Sequence, residues 1–147
     1  RVEPWFTTEA VCLLPRDHPL TAQECVDVQD LRGQHLVISN QPSISTNPLL
    51  ELTTRHRVQI AGKTEANIGT ITALVANHVG ITVMNPITAK DQLAPHDGLV
   101  TRPFSPAMTF SFGLIYRDNW KQARALDFLR QRGRTLLEGY GAEYRGH

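Results

Sequence analysis

The sequence lacks both a long hydrophobic run and an excess of charge of either sign. It has no uninterrupted stretch of about 18 apolar residues, the length at which a transmembrane helix becomes a candidate. Glu3, Pro4 and Asp17 interrupt the region where a secretory signal needs a continuous apolar segment. The 15 Lys and Arg residues are balanced by 14 Asp and Glu residues, whereas a chain that grips nucleic acid usually has a concentrated basic face. We therefore predict a cytoplasmic protein whose own partner is a small ligand or another protein.

Cysteine and the usual catalytic patterns are also scarce. The chain has only Cys12 and Cys25, at a spacing that is not typical of a metal site. Reduced thiols are favoured over a disulfide, which stays open as an alternative. The 6 histidines are scattered, with no i, i+4 pair for a metal-binding helix and no Gly-x-Ser-x-Gly turn for a nucleophile. The sequence therefore predicts no catalytic activity, no metal and no cofactor.

What the sequence does contain is an alternation of strand and helix patterns, which is clearest in residues 63–89. Five apolar residues recur there at the helical spacing of three and four: Ile68, Ile71, Leu74, Val75 and Val79. Asn67 precedes them as a predicted N-cap, and Gly80 follows as a predicted left-handed stop. The apolar residues 81–84 then form a short strand. Strand, crossover helix and strand within about 25 residues imply a parallel sheet and an α/β fold, since parallel neighbours need such a crossover.

Further strands and helices are predicted along the 147 residues, a length that can bury one core or two small lobes. Strand patterns occupy residues 11–14, 35–39, 58–64, 100–104 and 110–116. Capping residues predict helix starts at Asp27, Asn47, Asn85 and Asn119. The last helix is predicted to end at Gly139 and Gly141. Its apolar stripe consists of Ala123, Leu126, Leu129, Gly133, Leu136 and Leu137.

Polar residues follow two of these strands, at the position where open α/β sheets bind small molecules. Each strand leads towards a helix N-terminus, whose free N–H groups and dipole favour an anionic group. Glu65 is placed to pair with an ammonium group. For Asn67 a purely capping role stays open, and for Thr70 a hydrogen bond to a nearby carbonyl. The candidate ligand-binding residues are Ser39, Asn40, Gln41, Ser43, Glu65, Asn67, Gly69 and Thr70.

An ordered set of short motifs resembles the effector-binding domain of LysR-type transcriptional regulators. The set comprises Leu-Pro-Arg-Asp-His-Pro-Leu at residues 14–20, Asp-Leu-Arg-Gly at 30–33, Leu-Val-Ala at 74–76 and Val-Gly-Ile at 79–81. His18 falls in the first motif and is interpreted as structural. A second similarity is to the branch that contains lysine-biosynthesis and opine-responsive regulators. It is found in residues 85–89, 102–105 and 110–115.

The resemblance implies a periplasmic-binding-protein-like (type 2) effector domain, which is an α/β fold of two lobes. Residues 1–13 would be a crossover strand from lobe I, residues 14–103 would form lobe II, and residues 104–147 would be a crossover strand and the C-terminal helix of lobe I. Lobe II would be complete and lobe I partial, because the family's upstream block, linker helix and winged helix-turn-helix are not found ahead of residue 1. A fragment is therefore expected.

The same resemblance implies that the domain senses a small amino-acid-like effector. Diaminopimelate, a basic amino acid or an opine are the candidates that the branch similarity suggests. The effector would close or tilt the lobes of a homo-oligomer and would influence DNA only through the absent N-terminal domain. Without its family partner, the stripe of the last helix is expected to be covered by self-association, by exchange of residues 104–116 with a second copy, or by another chain. The competing expectation is that the helix folds back over the strand at residues 110–116. The alternative is a periplasmic amino-acid-binding protein of a transport system, which shares the fold.

Overall fold

A computed structural model describes residues 2–40, 46–93, 98–117 and 123–144, and the chain divides into two compact units. Unit 1 contains residues 1–8 and 109–147, and unit 2 contains residues 9–108. The strands are β1 (Val2–Glu9), β2 (Val11–Pro15), β3 (Val26–Asp27), β4 (His35–Ser39), β5 (Gly62–Ala66), β6 (Thr82–Met84), β7 (Leu99–Ser105) and β8 (Thr109–Ile115). The α-helices are α1 (Thr46–Arg55), α2 (Ile68–Ala76), α3 (Pro86–Leu93) and α4 (Ala123–Tyr144), and short 3-10 helices span Pro19–Ala22 and Val28–Leu31.

Unit 2 is built on a mixed β-sheet. Four strands lie in the order β3–β7–β2–β6, and β4 and β5 form a parallel pair. A parallel bridge between Leu36 and Ile81 joins β4 to the residue before β6, and the N–H of Val37 donates to the Ile81 carbonyl at 2.8 Å. β5 and β6 therefore run parallel to β4 on its two sides, so the predicted parallel crossover is confirmed. β2 is antiparallel to both of its neighbours, β6 and β7.

Helices α2 and α3 cover one face of this sheet. Ile71 and Val75 of α2 are fully buried there against Leu13 of β2 and Val37 of β4. Burying each such side chain stabilises the fold by roughly 1.5–3 kcal/mol before entropy is counted. The predicted apolar stripe of α2 includes two residues that are not buried. Ile68 and Val79, at its two ends, remain 48% and 39% exposed.

The sequence prediction was right at the start of α2 and wrong at its end. Asn67 caps the helix as predicted. The left-handed stop predicted at Gly80 is wrong, because the residue with positive φ is His78, at 59°. Gly80 serves a different purpose: a Cβ at this position would collide with the carbonyl oxygen of His35. Glycine is thus required at position 80 by close packing against β4.

Several predicted element boundaries shift for identifiable reasons. Strand β5 begins at Gly62 rather than at residue 58, because the segment before it bonds to the turn at Gly33 and Gln34. There the Gly33 N–H donates to the Gln59 carbonyl, and the Ala61 N–H donates to the Gln34 carbonyl, each at 2.9 Å. Helix α1 starts at Thr46, one residue before the predicted cap. The predicted cap at residue 119 lies outside the described residues.

Unit 1 consists of the paired strands β1 and β8 together with helix α4. Phe6 and Phe112 stack with their ring centroids 5.0 Å apart and an interplanar angle of 8°. Arg130 Nε donates to Glu3 Oε2 at 2.8 Å, which ties the helix to β1. The helix continues to Tyr144, so the predicted end at residues 139 and 141 is wrong: a single helical glycine costs only about 1 kcal/mol relative to alanine.

Candidate functional site

The carboxyl ends of β4 and β5 meet at one edge of the sheet in unit 2. Ser39, the last residue of β4, is paired with Ala66, the last residue of β5. The pairing extends one residue further, because the Asn40 N–H donates to the Ala66 carbonyl at 2.9 Å. The chain leaves β5 through Asn67 and enters α2 at once. This edge therefore brings Asn40 close to the start of α2, as the parallel arrangement of the strands requires.

Asn67 holds the first turn of α2 with its side chain. Its Oδ1 accepts from the N–H of Thr70 at 3.0 Å and from the hydroxyl of Thr70 at 3.0 Å. Asn67 therefore does cap the helix, and the cap involves its own side chain and the hydroxyl of Thr70. Ile68 and Gly69 are the first two residues of α2, and N–H groups at these positions have no acceptor within the helix. A helix N-terminus of this kind favours an anionic group.

A small cleft opens beside this edge, with a cavity volume of about 20 Å³, which is room for about one water molecule. Six of its lining residues are apolar: Ile38, Leu49, Ile68, Ile71, Val83 and Met84. Ser39 and Thr82 supply the hydroxyl groups. We refer to it as the apolar cleft. Most of its walls belong to the packed core, since Leu49 and Ile71 are 1% and 2% exposed.

The acidic candidate at this edge is already paired. Lys63 Nζ donates to Glu65 Oε1 at 2.8 Å, and the two side chains are 48% and 52% exposed. Both residues lie on the exposed edge strand β5, two positions apart, so their side chains share a face. An exposed pair of this kind contributes only about 0–1 kcal/mol, and a ligand ammonium can exchange with Lys63 at little cost.

The structure brings five of the eight sequence candidates to the start of α2 and the adjacent strand ends: Ser39, Asn40, Asn67, Gly69 and Thr70. Glu65 lies on β5 immediately before, and Gln41 and Ser43 lie outside the described residues. Sequence reasoning missed the cleft lining contributed by Leu49 and by Thr82–Met84. The one available signal was Ile68, an apolar residue at the first, solvent-facing position of a helix.

The thiols and imidazoles of the described residues form no catalytic cluster. Complete burial raises the pKa of the Cys12 thiol far above its ordinary value. Partial burial and then the Asp27 and Asp30 carboxylates raise the pKa of Cys25. His18 Nδ1 accepts from the Leu20 N–H at 3.2 Å, so its predicted structural role is confirmed.

The described residues hold neither a metal-binding cluster nor a membrane-spanning helix. Nowhere among them do three His, Cys, Asp or Glu side chains converge in a way that would hold a metal ion. No helix within the described ranges is long and apolar enough to cross a membrane.

Comparison with known proteins places these features in a family. The family model described as the LysR substrate binding domain matches residues 1–135. The chain is 34% identical over 111 residues to the transcriptional activator protein LysR of Escherichia coli K12, which covers 75% of the chain and 35% of that protein. It is 28% identical over 119 residues to the regulatory protein NocR of Agrobacterium tumefaciens T37, with 77% and 37% covered. The chain thus spans about a third of the length of these curated relatives.

Solved structures agree on the fold. The reduced OxyR regulatory domain from Pseudomonas aeruginosa superposes with a TM-score of 0.75 at 24% identity, covering 92% of the chain and 66% of that domain. The CcmR regulatory domain from Synechocystis PCC6803, in complex with 2-PG, gives a TM-score of 0.68 at 18% identity, covering 88% and 64%. The match over residues 1–135 shows that the chain belongs to the LysR substrate-binding domain family, with the periplasmic-binding-protein-like type 2 fold of LysR regulatory domains.

Proposed function

We propose that this chain senses a small amino-acid-like metabolite and passes the signal to a DNA-binding domain elsewhere in a cytoplasmic transcriptional regulator. The observation that carries the proposal is the meeting of the ends of β4 and β5 at the N-terminus of α2. A ligand at this edge is within reach of hydrogen-bond donors that the fold has already oriented. The proposed function is binding without catalysis, and it involves no cofactor.

The ligand carboxylate is proposed to lie over the first turn of α2. The N–H groups of Ile68 and Gly69 and the helix dipole favour negative charge there. Asn40 approaches from the neighbouring strand end, with Ser39 before it. The Thr70 hydroxyl donates its hydrogen to Asn67 Oδ1. Towards a ligand this hydroxyl can therefore only accept a hydrogen bond, which suits an ammonium group.

The remaining candidates extend the same proposal. Glu65 is proposed to exchange its partner Lys63 for the ammonium group of the ligand. Gln41 follows Asn40 in the sequence and Ser43 lies three positions after it, so both are retained as candidate contacts. Ligands that carry both a carboxylate and an ammonium group match this combination.

The choice of ligands to test follows from the similar proteins. LysR and NocR are regulators, and CcmR is a regulatory domain that was solved with 2-PG bound. We propose basic amino acids, diaminopimelate and opines as the first compounds to screen. An effector acts by shifting an equilibrium between conformations, and it can shift that equilibrium only by the difference between its affinities for them. We further propose that the regulator is a homo-oligomer.

Isothermal calorimetry on the purified protein tests the site. Asn40→Ala and Thr70→Ala are each expected to weaken binding of the screened effector by about twofold to tenfold, the equivalent of one lost neutral hydrogen bond. The matched controls are Asn77→Ala and Thr54→Ala. Both control residues are exposed and bond to carbonyls within helices, away from this edge. Unchanged affinity in both site variants would locate the ligand elsewhere.

A further inference from the structure

We propose that a basic corner of unit 2 contacts the phosphate backbone of double-stranded DNA, without reading its sequence. The basic corner consists of Arg32, at the end of the 3-10 helix Val28–Leu31, and of Arg55, His56 and Arg57, at the end of α1. All four residues are exposed. The net charge of +1 does not exclude such a corner, because it is a sum over the whole chain.

Hydrogen bonds hold the two segments of the basic corner against each other. Arg32 Nη2 donates to the Arg57 carbonyl at 3.3 Å and to Gln29 Oε1 at 3.2 Å. Gln29 Nε2 donates in turn to the His56 carbonyl at 3.2 Å. The end of α1 and the end of the 3-10 helix therefore form one surface. A guanidinium group has five N–H donors, so Arg32 retains donors for a further partner.

The arginines of the basic corner have no acidic partner among the residues that the structure describes. Arg130 in unit 1, by contrast, pairs with both Glu3 and Asp127. Glu51 lies one helical turn before Arg55, a spacing at which opposite charges often pair, yet the two form no ion pair. The guanidinium groups of the corner are therefore available to an anionic partner.

The carboxylates nearest to Arg32 along the chain bind at the other end of the 3-10 helix. Asp27 Oδ1 accepts from the Gln29 N–H at 2.9 Å, and Asp30 Oδ2 accepts from the Asp27 N–H at 2.8 Å. Both carboxylates thus cap the N-terminus of this helix, whereas Arg32 lies at its C-terminus. The local acids stabilise the turn and leave the charge of Arg32 without a contacting counter-charge.

Arg57 occupies a backbone position that favours glycine. Helix α1 ends in a Schellman motif: the Val58 N–H donates to the Thr53 carbonyl at 2.8 Å, and the Arg57 N–H donates to the Thr54 carbonyl at 3.1 Å. The φ of Arg57 is 54°, in the left-handed region, where a side chain costs stability relative to glycine. Strained residues of this kind concentrate at functional surfaces, which supports a role for the Arg57 side chain beyond the fold.

The make-up of the basic corner favours phosphate groups over a protein surface. Specific protein interfaces usually have apolar residues at their centre, and none of the large exposed apolar residues of the described chain lies in the corner. Guanidinium groups form paired hydrogen bonds to phosphate oxygens. The curated relatives are regulatory proteins, one of them a transcriptional activator, so duplex DNA is the phosphate polymer assigned. Such contacts position a protein on the duplex and carry no sequence information.

The salt dependence of DNA binding by the purified protein tests this inference. Fluorescence anisotropy with a labelled duplex of arbitrary sequence is measured over a series of low salt concentrations. A pH of about 8 is used, because an ordinary histidine is neutral there and the slope then counts arginines. Phosphate contacts from three arginines predict that log K falls with log[salt] at a slope of about −2.7.

Two variants separate the role of the basic corner in binding from its role in the fold. Arg55→Gln should reduce the magnitude of the salt slope by about 1. Arg57→Gly should reduce it by the same amount and should also raise the melting temperature, because glycine relieves the left-handed strain. The matched control is Arg124→Gln, which removes the same charge from an exposed arginine on α4 in unit 1. This control should keep the full slope.

Three outcomes would overturn the inference. The first is an absence of duplex binding even at the lowest salt. The second is a slope that Arg124→Gln reduces as much as Arg55→Gln does, since binding would then follow the total charge. The third is displacement of the duplex by poly-L-glutamate as effective as by unlabelled duplex at equal charge concentration, which would indicate an acidic protein as the partner. None of these outcomes bears on amino-acid sensing, which the calorimetry tests separately.

Discussion

The indole ring of Trp5, on β1, lies so close to Gly133, on α4, that a Cβ at position 133 would overlap the ring carbons. Glycine in the middle of a helix costs about 1 kcal/mol relative to alanine, so its presence calls for a compensating contact. The contact is the aromatic ring itself, which uses the gap in the helix surface to pack against the helix backbone. Within unit 1, β1 and α4 are therefore fitted to each other at this point.

Gly133→Ala is expected to lower stability, although alanine favours helix. The displaced Trp5 ring should cost about 1–3 kcal/mol, which exceeds the propensity gain. Urea unfolding followed by tryptophan fluorescence measures the change. The control is the same substitution in a Trp5→Ala background, where the ring is gone and Gly133→Ala should be neutral or stabilising. Equal effects in the two backgrounds would contradict the role assigned to this contact.

Gly80→Ala is expected to destabilise unit 2 by about 1–3 kcal/mol. The new Cβ would meet the carbonyl oxygen of His35, which cannot easily move because it accepts from the Ile81 N–H at 2.9 Å. Gly98→Ala provides the control, since a Cβ there has nothing within 4 Å and the φ of Gly98 is not positive. Urea midpoints that shift equally for both variants would show that the collision is relieved without cost.

Thiol labelling at neutral pH should distinguish the two cysteines. Cys12 is buried and Cys25 is exposed, so only Cys25 should react in the native protein and both should react in denaturant. Burial and then the carboxylates of Asp27 and Asp30 raise the pKa of Cys25. A raised pKa lowers the thiolate fraction at a given pH, so the labelling rate should rise at higher pH than for a free cysteine peptide. Native labelling faster than the peptide at pH 7 would contradict this.

The sequence predictions succeeded where the interacting residues are close together in the chain and failed where the partner lies in another strand. The caps at Asn67 and Asn85 were predictable because each bonds to a residue three positions on, Thr70 and Thr88. The role of Gly80 was assigned wrongly because the atom that requires glycine belongs to His35, in a different strand. A pattern read along one segment contains no information about such a partner.

The candidate site also has a part that the sequence predicts and a part that it does not. Its polar part follows from strand ends and helix caps, which are local features, and five predicted residues lie together at that edge. Its apolar part consists of Leu49 from α1, Ile71 from α2 and Met84 from β6, and only tertiary packing brings these together. In the sequence, each of these residues reads as ordinary core.

The purified chain is not expected to bind DNA with sequence selectivity. Its net charge is +1, and binding that neutralises several phosphates needs a concentrated basic face. Fluorescence anisotropy at physiological salt, with a candidate promoter duplex and a scrambled duplex of equal length, measures this. We expect equal and weak binding to both. Tight binding that prefers the promoter sequence would show a DNA-binding function within these residues.

Self-association of the purified protein is expected to involve unit 1. Among the described residues, four of the six large exposed apolar residues belong to that unit: Val2, Ile115, Phe128 and Leu129. Ile115 and Phe128 are 78% and 61% exposed, and monomers rarely leave large clusters of such surface uncovered. Light scattering across a concentration series should therefore show a rising mass.

Phe128→Ser and Ile115→Ser are each expected to raise the dissociation constant about tenfold or more, because in a symmetric dimer every substitution removes apolar contact from both copies. The remaining two exposed apolar residues, Ile68 and Val79, belong to unit 2 and supply matched controls. Ile68→Ser and Val79→Ser should leave the association unchanged. A protein that stays monomeric at high concentration and melts cooperatively would show that unit 1 tolerates this exposure. An association that all four substitutions weaken equally would show that the contact is not confined to unit 1.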